Sequence, residues 1–334
     1  MHRITVNTVS APFQRHDSGS VFPLLQVCDS PTASLADTAA WVHANRDELD
    51  AKLGQHAAIL FRGFPLRDAE AFDTFLTAFG YESFTYKESL SNAVRVNRTE
   101  RVFTANEAPA DFNIQLHHEM AQTPVYPSKL FFFCQTAAET GGATPVCRSD
   151  DLYDALCRER PEFMATCEKV GLRYTNYMPT VDDPSSGMGR SWQSTFRATT
   201  REEAESRLHG FGYDWEWRND GSLCATTPVL QAVRTLKSGR KSFFNQLIAA
   251  FKGWKDGRND PAKAITFGDG SPMDAAAVDR AAELADAITV DLPWQAGDIC
   301  LLDNYAAMHG RRTFTGTRQI LAALVKGEML MAES

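Results

Sequence analysis

The feature that most constrains this chain is the pentapeptide Leu116-His117-His118-Glu119-Met120. If this stretch is a β-strand, alternate side chains share a face, so His117 and Glu119 point one way and His118 points the other. An imidazole nitrogen and a carboxylate oxygen on one face can bind the same divalent metal ion at roughly 2.0–2.2 Å. The pattern therefore predicts two metal ligands, His117 and Glu119, and a structural place for His118.

A complete site of this kind needs a third ligand from elsewhere in the chain. The histidines outside the triplet mostly lie in the N-terminal tail or on or beside predicted helices, but His309 lies in an apolar and aromatic setting, LLDNYAAMHGRR. Two histidines and one carboxylate leave metal positions open, which is typical of non-haem Fe(II) oxygenases. Two plainer interpretations remain open at this point. An H-x-E triplet occurs by chance in many proteins, and a single histidine is more often a core residue bonded to a carbonyl.

Hydrophobic periodicity predicts a mixed chain with strands in its core. Helices are expected at 34–54, 68–80, 149–158, 160–169 and 275–288, and after the capping box formed by Thr200 and Glu203. Strands are expected at 57–64, 129–136, 213–218, 224–230, 242–251, 298–304 and 318–325. Loops are expected at 178–190 and 253–272, where Pro and Gly are frequent. Many short strands with long excursions favour an α+β fold with a mainly β core, an antiparallel barrel or jelly roll surrounded by helices.

Composition excludes some functions and favours others. The chain has 334 residues, 43% of them hydrophobic and 23% charged, which allows a substantial core. Its formal net charge of -8 disfavours nucleic acid and anionic membranes as partners. Neither a run of about 18 apolar residues nor the apolar segment of a signal peptide is present. The seven scattered cysteines favour reduced thiols and a cytoplasmic location.

Two longer blocks surround the candidate ligands. Residues 116–146 read LHHEMAQTPVYPSKLFFFCQTAAETGGATPV, and residues 294–324 read WQAGDICLLDNYAAMHGRRTFTGTRQILAAL. Both resemble sequence blocks of the TauD/TfdA (taurine dioxygenase) family, most closely the branch of SyrP-like amino-acid hydroxylases and clavaminate synthase-like enzymes. Weaker likeness in SWQSTF, YDWEW and FFNQ extends the resemblance from about residue 55 to the end of the chain.

The resemblance implies a fold and a metal. The family has a double-stranded β-helix, or jelly roll, with helices outside. Residues 1–334 would then form a single domain with an insertion at about 150–290. His117 and Glu119 would lie on one strand and His309 on a late strand, and together they would bind Fe(II).

The resemblance also implies a co-substrate and an activity. Arg318 matches the arginine that holds the distal carboxylate of 2-oxoglutarate, and Thr144 matches the threonine that hydrogen-bonds the same group. A guanidinium suits this task because it binds a planar carboxylate through two parallel hydrogen bonds. With O2, such enzymes hydroxylate a small molecule and release succinate and CO2. In this branch the substrate is often an amino acid, free or tethered to a carrier protein. The presence of Glu119 disfavours halogenation, since halogenases of this type lack the carboxylate.

Several other residues have more than one interpretation. Arg311 and Arg312 are expected at the surface, although either could reach the substrate, and Asn113 could face the pocket. Asp303 and Asn304 could hold His309 from behind. Aromatic residues of the insertion could form a lid, although ordinary packing is more common for each of them: Tyr174, Tyr177, Trp192, Phe196, Phe243 and Phe244.

Alternative functions also remain open. The same iron centre could perform desaturation, epoxidation or ring closure, because substrate positioning selects among them. More distant alternatives are a metal hydrolase and a barrel without catalytic activity. A nucleic-acid demethylase would require a basic groove, which the charge balance does not favour. An oligomer is compatible with everything above.

Overall fold

The computed structural model describes residues 4–327 apart from 18, 92, 107, 184, 185, 187 and 255–262. Within these residues the strands are β1 Val6–Val9, β2 Arg15–Asp17, β3 Ser20–Phe22, β4 Leu24–Cys28, β5 Ala58–Arg62, β6 Ser83–Phe84, β7 Phe103–Thr104, β8 Ile114–His117, β9 Lys129–Thr136, β10 Thr140–Gly141, β11 Thr144–Arg148, β12 Leu172–Met178, β13 Asp214–Trp217, β14 Leu223–Thr226, β15 Arg234–Thr235, β16 Lys241–Ser242, β17 Ile265–Phe267, β18 Val290–Leu292, β19 Ile299–Asp303, β20 Ala307–Arg311, β21 Phe314–Thr315 and β22 Gln319–Val325. The helices are α1 Leu35–His56, α2 Ala69–Phe79, α3 Ser149–Glu159, α4 Pro161–Val170, α5 Trp192–Phe196, α6 Arg201–Gly210, α7 Leu247–Gly253 and α8 Ala275–Ala287. A short 3₁₀ helix covers Tyr86–Glu88.

Helix boundaries follow the capping signals in the sequence. Ser34 caps α1 and forms a capping box with Asp37. Thr200 and Glu203 form the predicted capping box of α6. Helix α2 ends at Gly80, which adopts a left-handed conformation with φ of 71°, a conformation that glycine accepts without steric strain. These predicted helix ends are confirmed.

A large sheet forms one half of the core. Its strand order is β1-β4-β5-β19-β9-β22-β6, and β7 also pairs with β22. Side chains of β9 alternate between two apolar clusters. Phe131 and Phe133 pack with α1 and α2, whereas Leu130, Phe132 and Cys134 face the other cluster. Because both faces of β9 are buried, its sequence is a nearly continuous apolar run rather than an alternating one.

A second sheet packs against the large one and carries the candidate ligands. Its strand order is β18-β11-β20-β8. Val146, Leu292 and Ala307 from this sheet lie in the same apolar cluster as Leu130 and Phe132 of the large sheet. The two sheets therefore pack face to face, and the structure confirms an α+β fold with helices around a β core.

The segment between β11 and β18 contains helices α3 to α8 and a further sheet with the order β13-β14-β12-β17. The prediction of strand structure across 242–251 is wrong for most of that stretch. Only Lys241–Ser242 is extended, and Leu247–Gly253 forms α7. The apolar run from Leu247 to Ala250 is buried on a helix that contacts β8 and α8. A short buried apolar run has no periodicity that separates helix from strand, which explains the error.

The remaining predictions for this region hold in part. The strand predicted at 224–230 ends at Thr226, although Leu230 forms an isolated bridge with Leu172. The loop predicted at 253–272 contains β17, which pairs with β12, and its residues 255–262 lie outside the described part of the chain. None of the helices in the described residues combines the length and apolar character that crossing a membrane requires.

Candidate metal centre and its cleft

Glu119 lies in a turn immediately after β8, which ends at His117. The prediction that both residues lie on one strand is therefore wrong in detail. The side chain of Asn304 accepts a hydrogen bond from the Glu119 amide at 2.8 Å and donates one to the Glu119 carbonyl at 3.0 Å. These bonds take the place of the main-chain hydrogen bonds that a continuing strand would make. Met120 follows with a left-handed φ of 57°. The turn nevertheless keeps the Glu119 carboxylate beside His117.

His309 lies directly opposite His117, because β20 and β8 pair in a register that matches the two residues. Their rings are 4.3 Å apart between centroids. Oε2 of Glu119 lies 3.4 Å from Nε2 of His309 and 3.9 Å from Nε2 of His117. One ligand atom from each of the three residues falls within 4.8 Å of the others. The structure thus brings together three predicted residues that are widely separated in sequence.

The protonation states of this cluster suit metal binding. Burial and the neighbouring His309 lower the pKa of His117 to about 4, so its imidazole is neutral at physiological pH. Burial alone would raise the pKa of Glu119, but Arg95, His309 and His117 outweigh it and lower that pKa to about 2. The His117 Nδ1–H donates to the Gln115 carbonyl at 2.7 Å, which leaves Nε2 free as a ligand. A donor set of two imidazole nitrogens and one ionised carboxylate oxygen fits a divalent transition metal.

His118 belongs to the scaffold around the cluster. Its side chain is fully buried, and its Nδ1 lies 2.5 Å from the Asn304 carbonyl oxygen. Its ring packs 4.8 Å from that of Phe244. Gln246 donates to the His118 carbonyl at 2.9 Å. His118 therefore fixes the turn between the two candidate ligands from the side away from them.

Arg318 and Thr144 lie together on a wall formed by β11 and the start of β22. Nε of Arg318 donates to the Gly142 carbonyl at 2.8 Å, and its Nη2 lies 3.3 Å from the Thr144 hydroxyl. The indole N–H of Trp294 donates to the same hydroxyl at 2.9 Å. Burial, with Arg311 nearby, lowers the pKa of Arg318 to about 10, so it stays protonated at neutral pH.

One cleft joins this wall to the three candidate metal ligands. Apolar side chains of Phe132, Ile114 and Ile320 form part of its surface. Four of the five candidate site residues line it: His117, Thr144, His309 and Arg318. Glu119 lies just behind it, within ligand distance of the two histidines. The predicted metal ligands and the predicted arginine–threonine pair therefore share one cavity.

Arg311 was expected at the surface, and that prediction is wrong. Arg311 is only 4% exposed. Its guanidinium donates to four main-chain carbonyls, those of Asn106, Ala108, Pro109 and Phe112. The neighbouring Arg312 does lie at the surface, where it pairs with Asp286 and Asp291. Arg311 is the last residue of β20 and Arg312 follows it. Because successive side chains of a strand point to opposite faces, the first arginine is buried and the second lies at the surface.

The other ambiguous residues also have definite places. Asn113 is exposed, and its side chain accepts from the Thr313 amide rather than lining the cleft. Asn304 supports the turn of Glu119 rather than His309, while Asp303 accepts from the Tyr305 amide. Five of the aromatic residues considered for a lid are buried in the core: Tyr174, Trp192, Phe196, Phe243 and Phe244.

Sequence reasoning missed two residues of this region, Arg95 and Trp294. Arg95 lines the cleft, and its Nη2 lies 3.4 Å from Oε1 of Glu119. Its sequence context, SNAVRVNRTER, contains three arginines with no spacing that distinguishes one of them. Trp294 opens the C-terminal block, but only the fold reveals that it bonds Thr144, 150 residues earlier. No local pattern signals either contact.

Two histidines and one carboxylate meet beside a cleft lined by arginines, on a scaffold of two packed sheets. This combination is typical of the class of non-haem metal oxygenases. The model of the "Taurine catabolism dioxygenase TauD, TfdA family" matches residues 20–324. The chain belongs to this family and is therefore an enzyme of the dioxygenase type.

Individual proteins show the same relationship. A clavaminate synthase-like protein of Arabidopsis thaliana is 39% identical over 323 residues, covering 94% of this chain and 97% of that protein. The dapdiamide synthesis protein DdaC of Enterobacter agglomerans is 27% identical over 311 residues, covering 88% and 89%. The fold is similar to that of PvcB of Pseudomonas aeruginosa, described as an Fe, alpha-ketoglutarate dependent oxygenase from an isonitrile synthetic pathway. That similarity has a TM-score of 0.52 and 14% identity and covers 97% and 92% of the two chains.

Proposed function

We propose that this chain is an Fe(II)- and 2-oxoglutarate-dependent oxygenase that hydroxylates an unactivated C–H bond of an amino acid or amino-acid-derived small molecule. Succinate and CO2 are the products of the co-substrate. One observation carries the proposal: the ligand atoms of His117, Glu119 and His309 converge within 4.8 Å beside a cleft lined by Arg318 and Thr144. A metal cluster and a carboxylate-binding arginine in one cavity are what such a reaction requires.

His117, Glu119 and His309 hold the metal in this proposal. When bound, Fe(II) supplies the oxygen activation that no side chain of the protein can perform. Burial and His309 keep the His117 imidazole neutral, and Arg95 with the two histidines keeps the Glu119 carboxylate ionised. Three protein ligands of this kind would leave positions on the metal for the co-substrate. The turn held by Asn304 keeps Glu119 in ligand position.

Arg318 and Thr144 hold the distal carboxylate of 2-oxoglutarate. The Arg318 Nε is already fixed on the Gly142 carbonyl, so the outer edge of the guanidinium is pre-oriented for a carboxylate. Trp294 donates to the Thr144 hydroxyl, which leaves the hydroxyl proton available to the same carboxylate. Phe132 and Ile320 provide apolar contact for the carbon chain and exclude water from it.

The architecture proposed with this function is a single domain. In it, the large sheet and the β18-β11-β20-β8 sheet form the two halves of a double-stranded β-helix. The segment 149–289, which leaves after β11 and returns at β18, is the insertion. The shared apolar cluster between the two sheets supports this description.

The substrate class rests on the relatives. The resemblance to the branch of amino-acid hydroxylases and clavaminate synthase-like enzymes, which the similarity to a clavaminate synthase-like protein supports, favours an amino acid or a derivative of one, free or carried by a partner protein. Desaturation, epoxidation or ring closure are alternative outcomes at the same centre, because the position of the substrate C–H selects among them. A metal hydrolase is disfavoured, since no Asp or Glu among the described residues lines the cleft to serve as a general base.

The test is an aerobic screen with Fe(II), 2-oxoglutarate and each of the common L-amino acids. The proposal expects succinate release that depends on one or a few of them, with a matching product heavier by one oxygen atom in mass spectrometry. Glu119→Ala should abolish both signals, whereas His209→Ala, at an exposed helical position, should leave them unchanged. Succinate release that persists undiminished in Glu119→Ala would contradict the proposed centre.

A further inference from the structure

Arg95 is a buried arginine that the proposed chemistry leaves without a function. It lies between the 3₁₀ helix at Tyr86–Glu88 and β7, and its side chain is only 8% exposed. The guanidinium carbon lies 5.6 Å from the centroid of the Tyr86 ring and 5.7 Å from that of Phe103. Two aromatic rings therefore support the guanidinium, and the group lines the same cleft as His117 and His309.

Arg95 is the arginine of this cleft with the weakest hydrogen bonds. Its Nη2 lies 3.4 Å from Glu119 Oε1, its Nη1 lies 3.5 Å from the Thr104 carbonyl, and its buried Nε has no partner among the described residues. The Nε of Arg311 is also unpaired, but its Nη1 and Nη2 donate to four carbonyls, two of them within 2.7 Å, and Arg318 has a 2.8 Å bond through Nε. A buried guanidinium with unsatisfied donors is costly unless a ligand completes it.

The charges around the cleft point to an anion as that ligand. A divalent metal brings two positive charges, and Arg95 and Arg318 bring one each, while Glu119 and dianionic 2-oxoglutarate together bring three negative charges. With both histidines bound as neutral groups, these groups leave one positive charge, and Arg311, which also lines the cleft and donates only to neutral loop carbonyls, adds a second. Once the metal attracts Glu119, the Arg95 side chain is the cation without a full partner. Arg190 adds further positive charge nearby, since its guanidinium carbon lies 5.0 Å from the centroid of the same Tyr86 ring.

We propose that Arg95 binds a carboxylate of the primary substrate. The proposal rests on the proposed function and narrows it, because it requires a substrate with a free carboxylate. An amino acid tethered through its α-carboxyl group as a thioester lacks that anion, so a free acid, or an acid on the substrate's side chain, is the expected form. Two parallel N–H donors of Arg95 would orient the substrate on the side of the metal where Glu119 Oε1 lies.

The experiment compares acids with their amides on the assembled but unreactive complex. Protein loaded anaerobically with Fe(II) and 2-oxoglutarate is titrated with each common L-amino acid and with the matching primary carboxamide, and perturbation of the visible charge-transfer band gives each Kd. We expect at least one acid to bind about 10- to 100-fold more tightly than its amide, the range for a charge-assisted pair. This comparison in wild-type protein needs no substitution and no turnover.

Variants then assign the preference to Arg95. Arg95→Gln should reduce the acid-to-amide ratio to within about threefold of unity, Arg95→Lys should keep part of it, and the surface control Arg312→Gln should keep all of it. Mn(II) affinity, followed by electron paramagnetic resonance, should change little in Arg95→Gln, which also shows that the variant is folded.

Four results would overturn the inference. They are equal binding of acids and amides, an acid preference that survives in Arg95→Gln, no acid binding at millimolar concentration, and a variant whose only defect is weaker Mn(II) binding. The last result would make Arg95 a positioning residue for Glu119. A fifth result bears on the proposed function instead. If the charge-transfer band does not form before any acid is added, the proposed iron and 2-oxoglutarate site is refuted, whatever Arg95 binds.

Discussion

The two walls of the cleft are built in different ways. On the wall of β11 and β22, Arg318 is fixed by a 2.8 Å bond to the Gly142 carbonyl, and Thr144 is bonded by Trp294. On the wall that carries Arg95, this residue belongs to a segment with little regular structure, and its bonds are 3.4 Å and longer. One wall holds its arginine by a short hydrogen bond before any ligand binds, whereas the arginine of the other wall has only long bonds and an unpaired Nε.

This difference teaches how one scaffold can combine constant and variable chemistry. Strand pairing positions a side chain through many cooperating main-chain bonds, so the pocket assigned to 2-oxoglutarate is rigid. A connecting segment can change its residues without disturbing the sheets, so the wall with Arg95 can be adapted to a particular substrate. The comparison predicts that substitutions on the Arg318 wall change the affinity for 2-oxoglutarate, whereas substitutions on the Arg95 wall change the affinity for the substrate acid.

The largest expected effect is that of Arg318→Ala. Loss of two charge-assisted hydrogen bonds to the distal carboxylate should raise the Kd for 2-oxoglutarate by about 100-fold or more. Affinity for Mn(II) without co-substrate should stay within about threefold, because Arg318 does not contact the ligand cluster. Isothermal titration of both ligands checks this, with Arg280→Ala, which removes ion pairs to Glu159 and Glu283 away from the cleft, as a control. An unchanged 2-oxoglutarate affinity would remove the proposed clamp.

Arg311→Met should affect the fold rather than either ligand. It leaves four carbonyls of the loop from Asn106 to Phe112 without their donor. We expect a loss of about 2–3 kcal/mol in the free energy of unfolding, measured with urea. Arg312→Met, next along the chain and in exposed ion pairs, should cost less than about 1 kcal/mol. Equal losses in the two variants would show that the loop bonds contribute little.

Trp294→Phe should have the smallest effect. It removes the indole donor to the Thr144 hydroxyl but keeps most of the ring volume. Loss of one neutral hydrogen bond corresponds to about 1 kcal/mol, or roughly fivefold in the Kd for 2-oxoglutarate. Acid binding on the Arg95 wall should not change. A weakening of acid binding that matches the loss of co-substrate affinity would show that the two walls are coupled.

Local sequence signals predicted much of this molecule. Capping residues such as Ser34, Gly80 and Thr200 marked helix ends correctly, because a cap is a contact between residues only a few positions apart. The long apolar strands were equally accessible, since Lys129–Thr136 is buried on both faces. The H-x-E triplet and His309 were identified as a possible cluster from residue types and from the resemblance of their surroundings.

Contacts between distant residues were beyond such signals. The main chain of Glu119 is hydrogen-bonded to the side chain of Asn304 instead of to a neighbouring strand. Asn304 is 185 residues away in sequence, so the turn at Glu119 could not be predicted. Arg311 is buried because a loop that precedes it by about 200 residues wraps over its guanidinium. Arg95 meets Glu119 only through the fold of a segment without regular periodicity.

The central claim is that His117, Glu119 and His309 bind one ferrous ion beside 2-oxoglutarate. The most direct test is the visible absorption of the protein mixed anaerobically with Fe(II) and 2-oxoglutarate. We predict a metal-to-ligand charge-transfer band in wild-type protein and in His209→Ala, and no band in His309→Ala. A wild-type protein without the band, or a His309→Ala variant that retains it at full strength, would contradict the account.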